Sequence, residues 1–217
     1  MSKSQSQHAI RRKLLAASRL AKPTRARQSA EGRGRTLPRA FFLTDPDRTK
    51  NLLGLIARLP RGWGVIYRHF GAANRFAVGS ALARACHRRG LILLVSADPA
   101  LAQRIGADGV HWPQARLRGV RRRSAHFIET ASAHSRAAIA RAHALGLDAA
   151  IVSTVFPSRS QSAAKAMGAL RFRLIARSAA LPVYALGGVN ARNAASAMRG
   201  AAGWAAIDAV MDGWSPG

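Results

Sequence analysis

The stretch "GADGVHWPQ" (residues 106–114) sets a Gly-Ala-Asp-Gly turn directly before a short apolar run that reaches His111 and Trp112. Two other stretches repeat its grammar, "GLDAAIVST" (146–154) and "GAAGWAAID" (200–208). Each opens on glycine, places Asp or Ala two positions later, and runs on into apolar or small residues. Each also follows a helical-looking run: "PALAQRI", "SRAAIARAHAL" and "ARNAASAMR". A glycine just past a helix suits the left-handed C′ position, and the apolar run has the length of a buried strand. The stretch therefore reads as a helix-to-strand joint, and its recurrence implies a chain built from βα units.

Outward from these joints, the alternation is regular from Arg39 onward. Strands are expected at "AFFLT" (40–44), "GVIYRHF" (64–70), "LILLVS" (91–96), "GVHW" (109–112), "HFIETA" (126–131), "AAIVST" (149–154), "PVYALG" (182–187) and "WAAID" (204–208). Helical runs lie near 47–59, 73–88, 98–105, 113–120, 134–145, 164–178 and 190–199. Eight short apolar strands separated by helices are the sequence form of an α/β protein, a single-domain (β/α)8 TIM barrel over residues 40–217. A doubly wound open sheet is the alternative. No G-x-G-x-x-G follows the first strand, so a dinucleotide site has no support.

Residues 1–39 differ from the rest. They hold one acid, Glu31, and end in Gly, Arg and Pro, which resist packing. Ile10, Leu14, Leu15 and Leu20 could form one stripe of a short basic helix from about His8 to Ala21. The segment reads as a basic, flexible extension whose removal should leave the barrel folded. A docked helix is the alternative, because the short tail after Asp208 leaves little sequence for an eighth helix. The segment is Arg- and Ser-rich like an organellar transit peptide, but the whole chain is poor in acids, and a cytoplasmic protein is expected.

The 217 residues, 48% hydrophobic with 19 glycines, suit one soluble domain. No apolar run reaches the ~18 residues of a membrane span. The lone Cys86 excludes disulfides and cysteine-rich zinc sites and reads as a small helix residue. Charge is the oddity: 35 Lys plus Arg against nine Asp plus Glu give a net +26. Such a surface attracts polyanions. The cations are spread along the chain and only 6% of residues are aromatic, so nonspecific polyanion binding at low salt is expected and sequence-specific nucleic-acid recognition is not.

In a (β/α)8 barrel the chemistry sits at the C-terminal ends of the strands. Polar residues expected there include Asp45, Arg68, Ser96, Asp98, His111, Gln114, Glu129, His134, Ser153, Thr154, Asn190 and Asp208. In "YALGGVNARN" (184–193), Gly187 and Gly188 would let a bound phosphate approach the backbone, with Asn190 capping the next helix. A tight turn explains the same residues. The stretch 155–172 is long enough to cover the mouth, with Ser158, Arg159, Ser160 and Gly168 as donors, or is a solvated loop. His134 could serve as a general acid or base, or cap a helix at the surface. A phosphorylated small molecule is the expected ligand.

"FFLTDPDR", "GADGVHWPQ", "SAHS", "STVFPSRSQ" with "MGALRF", "ALGGVNARN" and "GAAGWAAIDAVM" occur in an order and spacing that resembles the thiamine phosphate synthase and thiazole tautomerase family, over about residues 40 to 211. The resemblance implies a (β/α)8 barrel with a site for a thiazole phosphate. Synthases of this family join it to a hydroxymethylpyrimidine diphosphate and release pyrophosphate, with Mg²⁺ and cationic side chains neutralising the departing charge. Tautomerase relatives shift a proton on a thiazole carboxylate phosphate, a task that needs no metal.

Against the synthase pattern, Arg68 is kept while Phe70, Ser96, Ala97, Ala115 and Gln161 replace expected lysines and metal-holding residues. Asp98 could stand in for one Mg²⁺ ligand or cap a helix. Asp208 occupies the place of a phosphate-donating serine. A carboxylate there repels phosphate by roughly 1–4 kcal/mol at 4 Å unless Arg68 or Arg159 offsets it. Three functions remain open: a synthase with altered diphosphate residues, a metal-independent tautomerase using His134, and a non-catalytic ligand-binding or interaction barrel.

Overall fold

The computed structural model describes residues 3–26, 35–69, 71–120, 127–158 and 164–216. Eight parallel strands close in sequence order into a barrel. They are β1 (Ala40–Leu43), β2 (Gly64–Tyr67), β3 (Ile92–Ser96), β4 (Gly109–Trp112), β5 (Ile128–Ala133), β6 (Ala149–Val152), β7 (Val183–Ala185) and β8 (Gly203–Ala206). The helices are α1 (Lys3–Leu20), α2 (Leu52–Ile56), α3 (Arg75–Arg89), α4 (Pro99–Arg104), α5 (Arg136–Ala144), α6 (Gly168–Ser178), α7 (Ala194–Ala197) and α8 (Asp208–Trp214). A 3₁₀ segment, Gln114–Gly119, takes the place of the helix expected at 113–120.

Alternation along each strand sorts side chains into two layers. Phe41, Leu43, Ile66, Leu94, Ile151 and Tyr184 fill the barrel interior. Phe42, Val65, Val95, Val110, Val183 and Trp204 belong to the cluster shared with the helices.

The three repeated joints share one geometry. The Asp108, Asp148 and Ala202 amides donate to the carbonyls of Leu93, Glu129 and Val183 on the preceding strands, at 2.8, 2.7 and 2.9 Å. The two aspartates also accept through Oδ2 from the Leu93 and Glu129 amides, both at 2.8 Å. Gly109 must be glycine, because a Cβ there would lie 1.9 Å from the Ile128 carbonyl oxygen.

Several expected boundaries shorten. The second strand ends at Tyr67 because the Arg68 amide turns to Thr44 Oγ1 at 3.0 Å. The helix expected at 190–199 contracts to α7, since asparagine side chains organise residues 190–193 as a turn.

The N-terminal segment expected to be flexible is packed structure over residues 3–26. α1 lies against α7 and α8, with Leu14 and Ala17 wholly buried. Trp204 Nε1 donates to Ser18 Oγ at 3.1 Å, and Ser18 Oγ donates to the Leu14 carbonyl at 3.0 Å. Ala26 and Leu37 then join the interior cluster, beside an antiparallel bridge between Arg25 and Thr36. No helix among the described residues is long and apolar enough to cross a membrane.

Candidate active site at the barrel mouth

One side of the mouth, from β8 through β3, is a set of ion pairs. Arg48 Nη2 donates to Asp45 Oδ2 at 2.8 Å, and its Nη1 donates to Asp208 Oδ1 at 3.0 Å. Arg68 reaches the same Asp45 oxygen at 3.6 Å and donates through Nε to the Thr44 carbonyl at 2.9 Å. Partial burial pushes the Asp45 carboxyl up, but the hydrogen bonds and charge of Arg48, with the Arg68 charge, outweigh it and hold Asp45 below its ordinary value. Burial lowers the Arg68 pKa, with Asp45 opposing. Among the described residues, the one that pairs with Asp208 is Arg48. Its only sequence signal is its place three residues after Asp45 in "DPDR".

Asp98 is the N-cap of α4. Its Oδ1 accepts from the Leu101 amide at 2.9 Å, and its Oδ2 accepts from Arg75 Nη1 at 2.6 Å. Arg75 also donates to the Ser96 carbonyl at 3.0 Å. Ala97, in the turn after β3, holds φ at 60°, a left-handed value that costs an alanine about 1–2 kcal/mol. The Mg²⁺ implied by the resemblance meets a donor set that does not fit it. Both Asp98 oxygens are engaged, Ala97 and Ala115 offer no carboxylate, and no group of three His, Cys, Asp or Glu among the described residues could hold a metal ion.

Along the barrel axis, His111 Nδ1 lies 2.9 Å from Thr130 Oγ1, and its Nε2 lies 2.9 Å from Ser132 Oγ. Burial, and then the Arg68 charge, bring its pKa down to about 3, so the ring is neutral and fixes the two hydroxyls. Trp112 Nε1 donates to the buried Glu129 at 2.9 Å, on the helix-facing side of the sheet. Cys86 is buried, its thiol pKa pushed up to about 12 by burial and Asp108.

On the opposite side, at β5 and β6, no ion pair forms among the described residues. Ser135 caps α5, its Oγ accepting from the Ala138 amide at 3.1 Å. The His134 amide donates to Gln114 Oε1 at 2.7 Å, and His134 Nδ1 lies 3.1 Å from both the Ser153 carbonyl and the Ser153 hydroxyl. A cavity of about 460 Å³ opens beside this histidine, lined in part by Arg136, Ser153, Thr154, Lys165 and Arg171. His134 and Gln114 are therefore brought together as strand-end counting implies. Arg136, Lys165 and Arg171 escape that counting because they lie on or just before the starts of α5 and α6 rather than at strand ends.

Gly187 and Gly188 hold φ at 89° and 62°. A Cβ on Gly188 would lie 2.2 Å from the Pro157 carbonyl oxygen and 2.7 Å from that of Phe156. The bare backbone thus admits the loop after β6, and a side chain at Gly188 would displace that loop. Asn190 Oδ1 accepts from the Arg192 amide at 2.8 Å, while the Asn190 and Asn193 side-chain amides both donate to the Gly188 carbonyl. Asn190 builds the turn, and α7 starts only at Ala194. The Gly168 amide donates to the Val155 carbonyl at 2.9 Å where α6 begins. Ser158 stands at the edge of the described residues; Arg159, Ser160, Gln161 and Phe70 lie outside them.

Fold and mouth together define a class, the (β/α)8 barrels whose polar groups gather at the C-terminal ends of the strands. Residues 41–210 match the family described as thiamine monophosphate synthase, and the chain belongs to that family of thiamine biosynthesis barrels. It is 33% identical over 175 residues to the thiamine-phosphate synthase of Thiobacillus denitrificans, covering 77% of this chain and 83% of that one. It is 34% identical over 182 residues to that of Thioalkalivibrio sulfidiphilus, covering 78% and 85%. A solved thiamine phosphate pyrophosphorylase from Pyrococcus furiosus superposes with a TM-score of 0.67 at 23% identity, covering 82% of this chain and 88% of that one, a likeness of fold.

Proposed function

We propose that this barrel binds a thiazole phosphate at its mouth and moves a proton on it through His134 without Mg²⁺. The observation that carries the reading is the commitment of Asp98 to Arg75 and the α4 cap, which leaves no free carboxylate near Ala97 and Ala115 among the described residues to hold a metal. His134, by contrast, borders the cavity and is oriented from behind by Ser153. With the proton on Nδ1 donated to the Ser153 carbonyl, Nε2 is the basic nitrogen. It takes a proton from a ring carbon and returns one elsewhere on the same conjugated system, so atoms and charge balance. General acid–base catalysis of this kind contributes about 10²–10⁴ in rate.

The relatives named thiamine-phosphate synthases favour a second reading, coupling of the thiazole phosphate to a pyrimidine diphosphate. One assay set separates the two. Purified protein is given a thiazole carboxylate phosphate in EDTA, with proton exchange followed by NMR, and in parallel the coupling pair with Mg²⁺. We expect metal-independent exchange that falls at least ~100-fold in His134→Ala, with little coupling. Robust Mg²⁺-dependent synthesis overturns the first reading in favour of the second.

A further inference from the structure

His69 is a buried imidazole that proton transfer at His134 does not use. Its ring lies on that of Tyr67, at the end of β2, with centroids 4.7 Å apart and planes tilted by 43°. Among the described residues, its buried Nε2 has no hydrogen-bond partner. Tyr67 ties this ring to α3. The Tyr67 hydroxyl donates to the Arg75 carbonyl at 3.0 Å, and the Arg75 guanidinium carbon lies 6.0 Å over the Tyr67 ring. The same ring fills the space beside Gly79, where a Cβ would lie 3.2 Å from Tyr67 Cε1. His69 thus sits at the corner where the end of β2 meets the first turns of α3.

A buried nitrogen without a partner costs far less on a neutral ring than on a charged one, because a buried charge needs a counter-charge. The groups facing His69 supply none. Arg68 and Arg75 are cations. Among the described residues, Asp45, after β1, is the carboxylate whose charge reaches the ring, and Arg48 and Arg68 already hold it. Asp98 is held by Arg75 and by the α4 cap. Tyr67, its pKa raised by burial, stays neutral. Burial therefore lowers the His69 pKa; Asp45 opposes, and Arg68 and Arg75 add to the lowering. With a folded value below the ordinary ~6.5, the closed corner has its full stability above about pH 6.5 and loses it as pH falls toward the lowered value.

We propose that His69 is an acid-sensitive latch: its neutral ring, buried on Tyr67, holds the end of β2 to α3, and a proton on that ring drives it into water and loosens the first turns of α3. Arg75 carries the release onward, since it donates to the Ser96 carbonyl and to Asp98 beside the turn after β3. The corner responds between about pH 5 and 6.5, above the range in which Asp45 titrates. His111, with a pKa of about 3, is silent there.

The test is hydrogen exchange of the full chain at about pH 7.5 and 5.5, corrected for the intrinsic pH dependence of exchange and read on α3 and α6. An open state with the ordinary histidine pKa gains up to ~tenfold in population over that interval. We expect protection of the first two turns of α3 to fall ~three- to tenfold in the parent, with α6 unchanged. His69→Phe keeps a stacked ring and removes the proton site, so it should show no such fall. His87→Ala, at an exposed position on the same helix, should keep the parent's response. Equal protection at both pH values in the parent, a fall that extends to α6, or the same fall in His69→Phe overturns the latch. Should His69→Phe fail to fold, NMR titration of the His69 ring in the parent decides. A midpoint below ~6.5 supports the latch, and one at or above it overturns it.

Discussion

The two sides of the barrel mouth use the same residue type for opposite ends. From β8 to β3, Arg48, Arg68 and Arg75 are each claimed by Asp45, Asp98 or Asp208. At β5 and β6, the exposed Arg136, Lys165 and Arg171 are among the residues lining a cavity with no carboxylate among its described lining. In a chain with 35 cations and nine acids, the position of the acids decides where positive charge stays available. A paired arginine fixes loops to one another; an unpaired one beside a cavity can hold an anion. The metal site implied by the family falls on the paired side, where the acids are spent, and His134 falls on the other.

The hardest way to break the comparison is to remove α1. It packs on α8, whose first residue is Asp208, so the paired side rests on a helix from the opposite end of the chain. Deleting residues 1–26 uncovers Trp204 and Trp214 and removes the wholly buried Leu14 and Ala17. At about 1.5–3 kcal/mol for one leucine, with the alanines and the Ser18 hydrogen bond added, the loss is on the order of 5 kcal/mol. That is roughly 10–20 °C in Tm for a chain of this size. A truncated protein melting within ~3 °C of the parent would show that the paired side stands without α1.

Asp98→Ala gives the next effect. A lost helix cap costs about 1 kcal/mol, and a partly buried Arg75 left without its partner adds to it, for a total near 1–3 kcal/mol. We expect Tm to fall by roughly 2–12 °C at ~2–4 °C per kcal/mol. Millimolar Mg²⁺ should leave the parent's Tm unchanged, since binding to the native state alone would raise it. A Mg²⁺-dependent rise in the parent that Asp98→Ala removes would place a metal on the paired side and collapse the distinction between the two.

What the sequence discloses of all this follows the range of the interactions. The barrel is legible because glycine C-caps, strand length and helical periodicity are local, and "GADGVHWPQ" carries them within nine residues. His134, Gln114 and Arg68 are legible because the fold assigns strand ends to the mouth. Pairing is not legible. Arg48 meets Asp208 across 160 residues and Arg75 meets Asp98 across 23, and no pattern along the chain announces either. The cleft cations come from two different βα units. For α1, the Ile10–Leu14–Leu15 stripe points to a helix, while the basic, Gly- and Pro-ended composition of residues 1–39 points away from packing. What decides the matter is that α7 and α8 hold only four and seven residues, so the tryptophans behind them need another cover. Leu20, expected on the stripe, is 62% exposed.

The smallest effect tests the pairing itself through pH. Asp45 has a folded pKa below its ordinary value, so its pairing stabilises the protein above about pH 4 and that contribution is lost as pH falls through the lowered value. Arg48→Ala removes the main cause of the depression. Because Arg48 and Asp208 are well exposed, the loss at neutral pH should be under about 1 kcal/mol. The difference in Tm between parent and Arg48→Ala should therefore be a few degrees at pH 7, shrink below pH 4, and shrink again at ~500 mM salt. Arg136→Ala, made on the side that has no acid to titrate, should show no matching change across the same window. Parallel pH curves for the two variants would mean that the Asp45 pairing carries no stability, and the two sides of the mouth would then differ only in shape.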